Sequence, residues 1–524
     1  MSYGDKLLRG SKEQEKIWQV WLDDDTNMVI NAVAGSGKTW TGVQACKRDK
    51  HSDIAYVAFN KHIQVELTKH ISQPNVTCMT YHGLGFKALR NAKNRIEVDE
   101  NKLDRIVEGI VPVHMTDSRR GYIKVRTRKL TSLAKQYAVK SQQELERLVD
   151  HHAIDISGIE NEVYDFVPDV LDACKKETSA IDYDDMVWLP RELGIKMPRY
   201  DVMLIDEAQD TNLAQQWLAL ESADRLIVIG DPHQAIFGFR GADVESMNRI
   251  KDELKKRKDG VRELGLSFTR RCPKSHAELA QNIVPQIKAL PDAPQGIIRS
   301  IPMQNCDMQM RPGDLVLCRV NAELMSVAYA LIKRGVRAVV RGRDVGDGIL
   351  KLIDQAQKRS SSSKAEEVLK AAYDVMTEQV TKYRAMPDGR GENRAIAAQE
   401  RYECLENISV DARTVSDIVQ RVSKIFNDFT DEGKPNHAVV LGTVHRTKGL
   451  EANRIFVLRP DLIPHPMAKK PWEQQQEMNL AYVAVTRAVY NKSSEGELIW
   501  IGQEAPAFAP PQEEENVQEG EEQM

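Results

Sequence analysis

The sequence has no excess of positive charge and no long apolar run. Across its 524 residues, 73 Lys and Arg stand against 77 Asp and Glu, which gives a formal net charge of −4. No apolar stretch approaches the roughly 18 residues that a membrane-spanning helix needs, and residues 1–10 lack the apolar segment of a secretion signal. We therefore expect a soluble chain that works inside the cell and not in a membrane.

Cysteine pairs are also missing. The seven cysteines are scattered and none of them forms a CxxC pair, so neither a zinc site nor a thioredoxin-like redox motif is predicted. An odd, scattered set of this kind is typical of reduced thiols in a cytoplasm-like compartment. The nearly balanced charge does not exclude a nucleic-acid partner, because a local basic groove is enough to bind phosphates.

The pattern that is present alternates short apolar runs with Gly-rich or acidic turns. Such runs are typical of buried parallel strands, and the helical stretches between them fit the βα alternation of an α/β fold. Two charged stretches with few strand signals, residues 91–176 and 348–433, are interpreted as mainly helical insertions into that fold. The predicted strands cover residues 27–33, 54–59, 200–205, 225–229, 314–318, 336–340, 438–442 and 454–458.

The strongest motif is the sequence AVAGSGKT at residues 32–39, which follows an apolar strand and opens a helix. Glycines allow backbone N–H groups to surround a phosphate, and the helix N-terminus favours its negative charge. Lys38 is expected to reach the β- and γ-phosphates of a nucleotide, and Thr39 to ligate Mg²⁺. The first position holds Ala32, where the strict pattern has Gly. The nucleotide-binding residues predicted in this loop are Ala34, Gly35, Ser36, Gly37, Lys38 and Thr39.

A second motif, VMLIDEAQD at residues 202–210, places two carboxylates at the end of an apolar strand. Asp206 can hold Mg²⁺ through water, and Glu207 can orient and deprotonate the water that attacks ATP. An acidic pair alone is often only the charged start of a helix, so the prediction depends on both motifs. Together they predict an ATP hydrolase.

Several further segments resemble motifs of the UvrD/Rep-type helicases of superfamily 1. The matches run in the order that the family has, from Gln14 to Ala488, and leave out the two helical insertions. Residues 59–62 and the compact length are similar to phage-type and F-box-type members. The stronger matches are residues 206–210, 230–242, 443–451 and 479–488, and the weaker ones are residues 80–84 and 182–186.

The resemblance implies an α/β fold of two RecA-like P-loop NTPase motor domains, each interrupted by a mainly helical insertion, with ATP in the cleft between them. Residues 512–524 contain six glutamates and no basic residue, and are expected to belong to a disordered acidic tail. The predicted units are residues 1–90 and 177–264 for the first RecA-like domain, 91–176 for its helical insertion, 265–347 and 434–502 for the second RecA-like domain, 348–433 for its reduced insertion, and 503–524 for the tail.

The resemblance also implies roles around the nucleotide. Gln14 would hydrogen-bond the adenine, Gln234 would sense the γ-phosphate and couple it to DNA, and Glu451 would bind the ribose. Arg271 and Arg487 would enter from the second domain as arginine fingers. Phosphoryl transfer builds negative charge on the γ-oxygens, and a guanidinium group stabilises that charge.

One pair of positions departs from the family pattern. Relatives have Arg directly after the P-loop Thr and Tyr directly before the fourth-motif Arg, and those two side chains sandwich the adenine. Here the positions hold Trp40 and Arg270, an exchange of the aromatic and cationic side chains. We predict an inverted sandwich, with the indole on one face of the adenine and the guanidinium on the other. The alternative is that Trp40 packs into the core and Arg270 points into solvent.

The resemblance places a further set of side chains along single-stranded DNA. Phe237 and Phe239 would stack on bases of any sequence, and the alternative is that both belong to the core. A basic stretch at residues 119–129 could bind the DNA backbone, with a solvated helical face as an equal alternative. The predicted DNA contacts are Asn60, Lys61, Tyr81, His82, Phe237, Phe239, Arg240, Thr443 and His445.

The function implied by the resemblance is an ATP-dependent DNA helicase or translocase that moves on single-stranded DNA from 3′ to 5′ and unwinds duplex. A translocase that displaces proteins without unwinding, and a nucleotide-gated DNA-binding adaptor, stay open as alternatives. The expected ligands are ATP, Mg²⁺, single-stranded DNA and its junctions with duplex, and the expected partners are replication or repair proteins. We expect a monomer in the cytoplasm of a bacterial or phage-infected host cell or, in a eukaryote, in the nucleus.

Overall fold

A computed structural model contains two six-stranded parallel β-sheets, each surrounded by helices, and two small parallel sheets of two strands each. Phe237, Phe239 and Arg240, three of the predicted DNA contacts, and the predicted tail at 503–524 lie outside the described residues. Each helix in the described part of the chain is too short or too polar to cross a membrane. The structure describes residues 9–93, 95–152, 154, 156, 158–236, 245–257, 259–385, 392–426, 438–466, 468–469 and 471–502.

Strands and helices alternate along most of the chain, as the βα pattern predicts. The strands are β1 (Asn27–Ala32), β2 (Ile54–Ala58), β3 (Val76–Thr80), β4 (Glu97–Val98), β5 (Ala180–Ile181), β6 (Tyr200–Ile205), β7 (Ala223–Gly230), β8 (Val261–Leu266), β9 (Phe268–Thr269), β10 (Lys288–Ala289), β11 (Ile297–Ile301), β12 (Leu315–Cys318), β13 (Ala338–Val340), β14 (Val439–Thr443), β15 (Arg454–Leu458) and β16 (Glu497–Ile501). The helices are α1 (Lys12–Asp23), α2 (Lys38–Arg48), α3 (Lys61–His70), α4 (Tyr81–Ala92), α5 (Lys102–Ile110), α6 (Asp117–Tyr137), α7 (Gln142–His151), α8 (Glu160–Lys176), α9 (Tyr183–Glu192), α10 (Leu213–Ser222), α11 (Ser246–Lys255), α12 (Lys274–Gln281), α13 (Asn321–Lys333), α14 (Arg343–Ser360), α15 (Ala365–Arg384), α16 (Glu392–Ser409), α17 (Val415–Phe426), α18 (Val444–Thr447) and α19 (Pro471–Val485).

The first sheet has six parallel strands in the order β3-β2-β6-β7-β1-β8. Alternate residues of β1 face opposite sides: Met28 and Ile30 pack with α1 and α2, and Val29 packs with α10. Helices therefore cover both faces, as a parallel sheet requires. The carboxyl ends of all six strands meet at one edge, where α/β proteins bind their ligands.

Helices α5 to α8 of the first insertion pack together in a hydrophobic core that residues of α4 and α9 also join. Buried ion pairs fix its helices to the start of α9: Lys102 lies 2.5 Å from Asp185, and Lys135 lies 2.8 Å from Asp182 and 2.7 Å from Asp185. The Lys102–Asp185 and Lys135–Asp182 pairs are hydrogen-bonded as well as charged, which is the arrangement that makes buried charge tolerable. The insertion is thereby anchored to the first sheet next to the predicted DNA surface.

The basic stretch at residues 119–129 lies on α6, where its cations meet acidic neighbours. Arg120 and Lys124 lie 2.5 Å and 2.6 Å from the two carboxylate oxygens of Glu108, and Arg128 lies 2.9 Å from Asp104. Exposed pairs of this kind contribute little to stability, but they neutralise the local field. The arrangement favours the solvated helical face over the phosphate-binding alternative.

The second sheet also has six parallel strands, in the order β11-β16-β15-β12-β14-β13. The second insertion, α14 to α17, shares one continuous core with this sheet, in which Val316 and Leu441 of the strands pack with Val368 and Ile418 of the insertion. The second insertion is therefore a layer on the sheet. Two parallel sheets with helical insertions confirm the predicted α/β class.

Candidate nucleotide site and DNA-binding surface

The phosphate-binding loop leaves β1 at Ala32 and enters α2 at Lys38, as the motif predicts. Gly35 and Gly37 have φ angles of +69° and +85°, in the left-handed region where a side chain would be strained. A Cβ atom on Gly35 would also lie 2.5 Å from the Cβ atom of Arg271, which precedes the second sheet. Glycine at this position therefore allows the second half of the chain to approach the loop closely.

The two predicted metal ligands are neighbours: Thr39 lies at the start of α2, and Asp206 directly follows β6. Oγ1 of Thr39 donates to Oδ2 of Asp206 at 2.7 Å, and the Tyr56 hydroxyl donates to the same oxygen at 3.1 Å. Burial, and then the neighbouring Glu207, raises the pKa of Asp206. A bound cation would offset that effect by favouring the charged carboxylate. Because Mg²⁺ prefers hydroxyl and carboxylate oxygens, this pair fits the ion.

Glu207 is held between the P-loop lysine and a buried amide. Its φ of +53° is uncommon for a residue other than glycine. Oε1 lies 3.7 Å from Nζ of Lys38, and Oε2 accepts a 2.6 Å hydrogen bond from Nε2 of Gln209. Burial would raise the pKa of Glu207, but Lys38 and then Lys448 outweigh it and keep the pKa below its usual value. The group is therefore a charged carboxylate at neutral pH, as a general base must be.

The predicted γ-phosphate sensor, Gln234, lies just beyond the end of β7. Its Nε2 donates to Oδ2 of Asp231 at 2.6 Å. Lys448, which follows α18, donates to both carboxylate oxygens of Asp210 at 2.8 Å and 2.7 Å. The same ammonium group donates to the backbone oxygen of Gln234 at 2.7 Å. Motifs from the two halves of the chain therefore meet at the sensor.

The two predicted arginine fingers lie close together in the second half. Arg271 forms an ion pair with Glu451, the predicted ribose ligand, and donates to the backbone oxygen of Thr486 at 3.3 Å. Arg487 is 1% exposed and donates to the backbone oxygen of Val483 at 2.9 Å. Burial, and then Arg271, lowers the pKa of Arg487 to about 10. The site thus concentrates positive charge that an anionic phosphate would stabilise.

The residues predicted to surround the adenine lie at the starts of α1 and α2 and directly after β9. Oε1 of Gln14 accepts from Nη2 of Arg270 at 2.9 Å, and Nε2 of Gln14 donates to Oγ1 of Thr41 at 3.0 Å. The half-buried Trp40 ring packs against Trp18, with the ring centroids 5.5 Å apart. Gln14 and Arg270 are therefore together beside the P-loop, while Trp40 contacts α1.

Trp40→Ala is expected to raise the KM for ATP about fivefold, because loss of one stacking face removes about 1 kcal/mol of binding. The kcat should change less than about twofold, since the indole does not touch the phosphates. Steady-state ATPase measurements against ATP concentration check both values. Trp217→Ala, at a half-buried tryptophan on α10, is the matched control. An unchanged KM would exclude the inverted sandwich and leave Trp40 as a packing partner of Trp18.

Predicted DNA contacts on the first sheet occupy two places. Asn60 and Lys61 are exposed at the start of α3, where the Asn60 side chain accepts from the N–H of Ile63 at 2.9 Å. His82 is half-buried and lines a cleft of about 840 Å³ that Phe59 and α6 also line. Burial lowers the pKa of His82, so its ring is neutral at neutral pH.

Tyr81 lies in the core, which corrects its prediction as a DNA contact. Its side chain is 1% exposed and packs with Val57 and Leu84. Burial raises the pKa of the Tyr81 phenol. Successive residues of a helix point about 100° apart, so Tyr81 turns inward at the start of α4 while His82 faces the cleft. A stacking face for DNA is therefore absent at this position.

On the second sheet, Thr443 and His445 lie where β14 ends and α18 begins. Thr443 is 6% exposed, and His445 is half-buried. Burial, and then Arg319, lowers the pKa of His445 to about 3. Any contact that His445 makes with DNA therefore uses a hydrogen bond or the ring face, not charge.

Five residues that the sequence reasoning missed connect the predicted ones. Tyr56 bonds Asp206, Gln209 bonds Glu207, and Lys448 bonds Gln234. Asp231 and Tyr482 bond each other at 3.3 Å. Four of the five lie inside segments that resemble helicase motifs, so a polar side chain within such a segment was the available signal.

Comparison with known proteins agrees with this arrangement. Residues 11–255 match the family described as the UvrD/REP helicase N-terminal domain. The chain is 22% identical over 516 residues to F-box DNA helicase 1 of Gallus gallus, which covers 91% of this chain and 48% of that protein. It is 24% identical over 259 residues to DNA helicase II of Salmonella typhimurium, which covers 44% of this chain and 35% of that protein.

A third relative is the F-box DNA helicase protein 1 of Schizosaccharomyces pombe, 26% identical over 276 residues, or 45% of this chain and 29% of that protein. The chain thus spans less than half the length of these relatives. The matched region contains the P-loop, the acidic pair and Gln234. Residues 11–255 therefore match the N-terminal domain of the UvrD/REP helicases, and similarity to named DNA helicases extends over most of the chain.

Proposed function

We propose that this protein is an ATP-dependent DNA helicase that moves along single-stranded DNA in the 3′-to-5′ direction and unwinds duplex. The observation that supports the proposal best is the meeting of both halves of the chain around one phosphate-binding loop. The second half brings Arg271 against Gly35 and brings the Tyr482 hydroxyl to the backbone N–H of Ala34 at 2.8 Å. The relatives are named as DNA helicases, which supports DNA as the polymer along which the protein moves.

ATP is the substrate of the proposed reaction. The backbone N–H groups of residues 34–39 and the ammonium of Lys38 bind the β- and γ-phosphates. Glu207 orients a water molecule and accepts its proton as the oxygen attacks the γ-phosphorus. The bond from that phosphorus to the β,γ-bridging oxygen breaks, which gives ADP and phosphate. Arg271 and Arg487 stabilise the negative charge on the γ-oxygens during this step.

Thr39 and Asp206 are the residues that would hold Mg²⁺, since their side-chain oxygens lie 2.7 Å apart. When bound, this ion neutralises charge on the β- and γ-phosphate oxygens. The Tyr56 hydroxyl fixes the rotamer of Asp206 through its 3.1 Å hydrogen bond. These contacts keep the carboxylate directed at the P-loop side of the cleft.

Movement follows from opening and closing of the cleft. Residues from both halves complete the site only when the cleft is closed, so binding and release of nucleotide alternate with closure and opening. Asn60, Lys61 and His82 on the first half, and Thr443 and His445 on the second, are the proposed contacts to single-stranded DNA. Because these contacts lie on both halves, opening or closing of the cleft changes the distance between the DNA contacts of the first half and those of the second.

A translocase that displaces proteins without unwinding is the second candidate. The observation that favours it is the second insertion, whose helices pack onto the second sheet in one shared core. A compact layer of this kind has less surface for duplex than a free-standing insertion. The adaptor alternative has less support, because Lys38, Glu207 and both arginines are present at the cleft.

The deciding measurement is the ATPase rate with and without a single-stranded oligonucleotide. Wild type is expected to be stimulated about tenfold or more, as coupling between two sites usually produces, and Lys38→Ala should abolish the activity. Unwinding of a duplex with a 3′ tail, and not of one with a 5′ tail, would support helicase polarity. Displacement of a bound protein without unwinding would favour the second candidate. Bound ATP with no stimulation by DNA would contradict both motors and favour the adaptor.

A further inference from the structure

A buried hydrogen-bond chain connects the second half of the protein to the proposed general base. It starts at Tyr482, in the last turn of α19, and its next members are Asp231 and Gln209. It ends at Glu207, and the three connecting side chains are each at most 1% exposed. Hydrogen bonds in such surroundings are strong and expensive to leave unmade. The residues of this chain therefore hold defined orientations.

The first connection is made by the Tyr482 hydroxyl, which has two partners in the first half of the chain. It accepts from the backbone N–H of Ala34 in the P-loop at 2.8 Å and donates to Oδ2 of Asp231 at 3.3 Å. Burial, and then Asp231, raises the pKa of Tyr482, so the phenol keeps its proton. One oxygen atom of α19 thus contacts both the P-loop and the segment that carries the γ-phosphate sensor.

The same carboxylate oxygen of Asp231 also accepts a hydrogen bond from the side chain of Gln234. Nε2 of Gln234 lies 2.6 Å from Oδ2 of Asp231. The sensor of the first half and the tyrosine of the second half therefore share one acceptor atom. A movement of α19 relative to the P-loop would therefore shift Oδ2 of Asp231, the atom that positions the Gln234 side chain.

The final connection passes through Gln209. Its Oε1 accepts from the backbone N–H of Asp231 at 3.0 Å, and its Nε2 donates to Oε2 of Glu207 at 2.6 Å. The amide orientation is fixed, because a backbone N–H can only donate and a carboxylate can only accept. Gly230 leaves the space for it, since a Cβ atom there would lie 2.6 Å from Oε1 of Gln209.

We propose that Tyr482 and Gln209 are positioning residues that transmit the placement of the second half of the chain to Glu207 through Asp231. The inference rests on the proposed function, because it gives the route by which closure of the cleft reaches the hydrolysis step. Neither residue contacts the reacting atoms. Both act by fixing the carboxylate that does.

The test is a double-mutant cycle of Tyr482→Phe and Gln209→Met, two changes that remove hydrogen bonds and nearly keep volume. Each variant is expected to lower the kcat of ATP hydrolysis about tenfold, while the KM for ATP stays within about twofold. A purely structural role would not separate kcat from KM. Because both residues act through one chain, the double variant should lose about as much as the worse single variant.

Tyr200→Phe is the matched control, because it also removes one tyrosine hydroxyl contact, the 3.0 Å bond from Nζ of Lys87. Its kcat should equal that of wild type. A double variant whose loss of kcat equals the product of the two single losses would overturn the proposal. So would a Tyr482→Phe kcat equal to that of wild type. The cycle is measured with and without single-stranded DNA. A wild type that DNA does not stimulate would contradict the proposed function, whereas the cycle on the basal rate would still decide this inference.

Discussion

Replacement of Glu207 by Gln is expected to slow ATP hydrolysis by about 10²- to 10⁴-fold, the usual loss when a general base is removed. The change keeps the shape of the side chain and takes away its charge and its ability to accept a proton. Glu207 is suited to this role because Lys38, 3.7 Å away, and Lys448 keep its pKa low against the effect of burial. An amide in the same place cannot accept the proton from water.

Binding of ATP should survive this substitution, so KM or a direct affinity measurement should change little. Loss of a negative charge beside the γ-phosphate would if anything favour the bound anion. Single-turnover hydrolysis separates the chemical step from binding and product release. Glu263→Gln, an exposed carboxylate of β8 with one lysine partner at 3.3 Å, is the matched control. A Glu207→Gln rate within about threefold of wild type would exclude Glu207 as the base.

Strand prediction succeeded in the buried parts of both sheets. All eight predicted runs are strands, among them residues 200–205 and 454–458 with the observed bounds. Four strands of the two six-stranded sheets were missed, as were the two-residue strands β4, β5, β9 and β10. Three of those four, β3, β8 and β11, lie at sheet edges. Edge strands meet a neighbour on one side only, so their sequences keep polar, exposed positions and have no continuous apolar run. The fourth, β16, is interior, but a run of four apolar residues cannot be told from a buried helix segment by periodicity alone.

Motif spacing identified residues that the fold brings together, but not the contacts among them. Thr39 and Asp206 lie 167 positions apart in the chain and are hydrogen-bonded, as the two phosphate motifs predict. The pairing of Arg271 with Glu451 depends on how the second half folds, and no local pattern carries that information. Tyr81 failed for a related reason: the motif fixes the residue type, but the turn into α4 decides which of two neighbours faces inward.

Arg271→Lys is expected to lower kcat by about 10³-fold, at the lower end of the effect of removing an arginine finger. Lysine keeps the charge but loses the planar fork that reaches two acceptors at once. In this structure the guanidinium uses that fork on Glu451 and on the backbone oxygen of Thr486. In the proposed reaction the γ-phosphate would compete with Glu451 for the Arg271 guanidinium, which already binds one carboxylate.

The kcat of the Arg271→Lys variant, measured with and without DNA, distinguishes a cleft that opens and closes from one that stays closed. If Arg271 acts only after closure, its loss should reduce the DNA-stimulated kcat more than the basal kcat, and ATP affinity should change less than either. Arg299→Lys is the matched control, because Arg299 also bonds a carboxylate, at 2.6 Å from Glu497, but lies on β11 at the far edge of the second sheet. Equal losses of basal and stimulated kcat would mean that both halves stay closed throughout the cycle. In that case DNA would accelerate a step other than the assembly of this site, and the coupling between cleft and track would have to be sought in the release of ADP or phosphate.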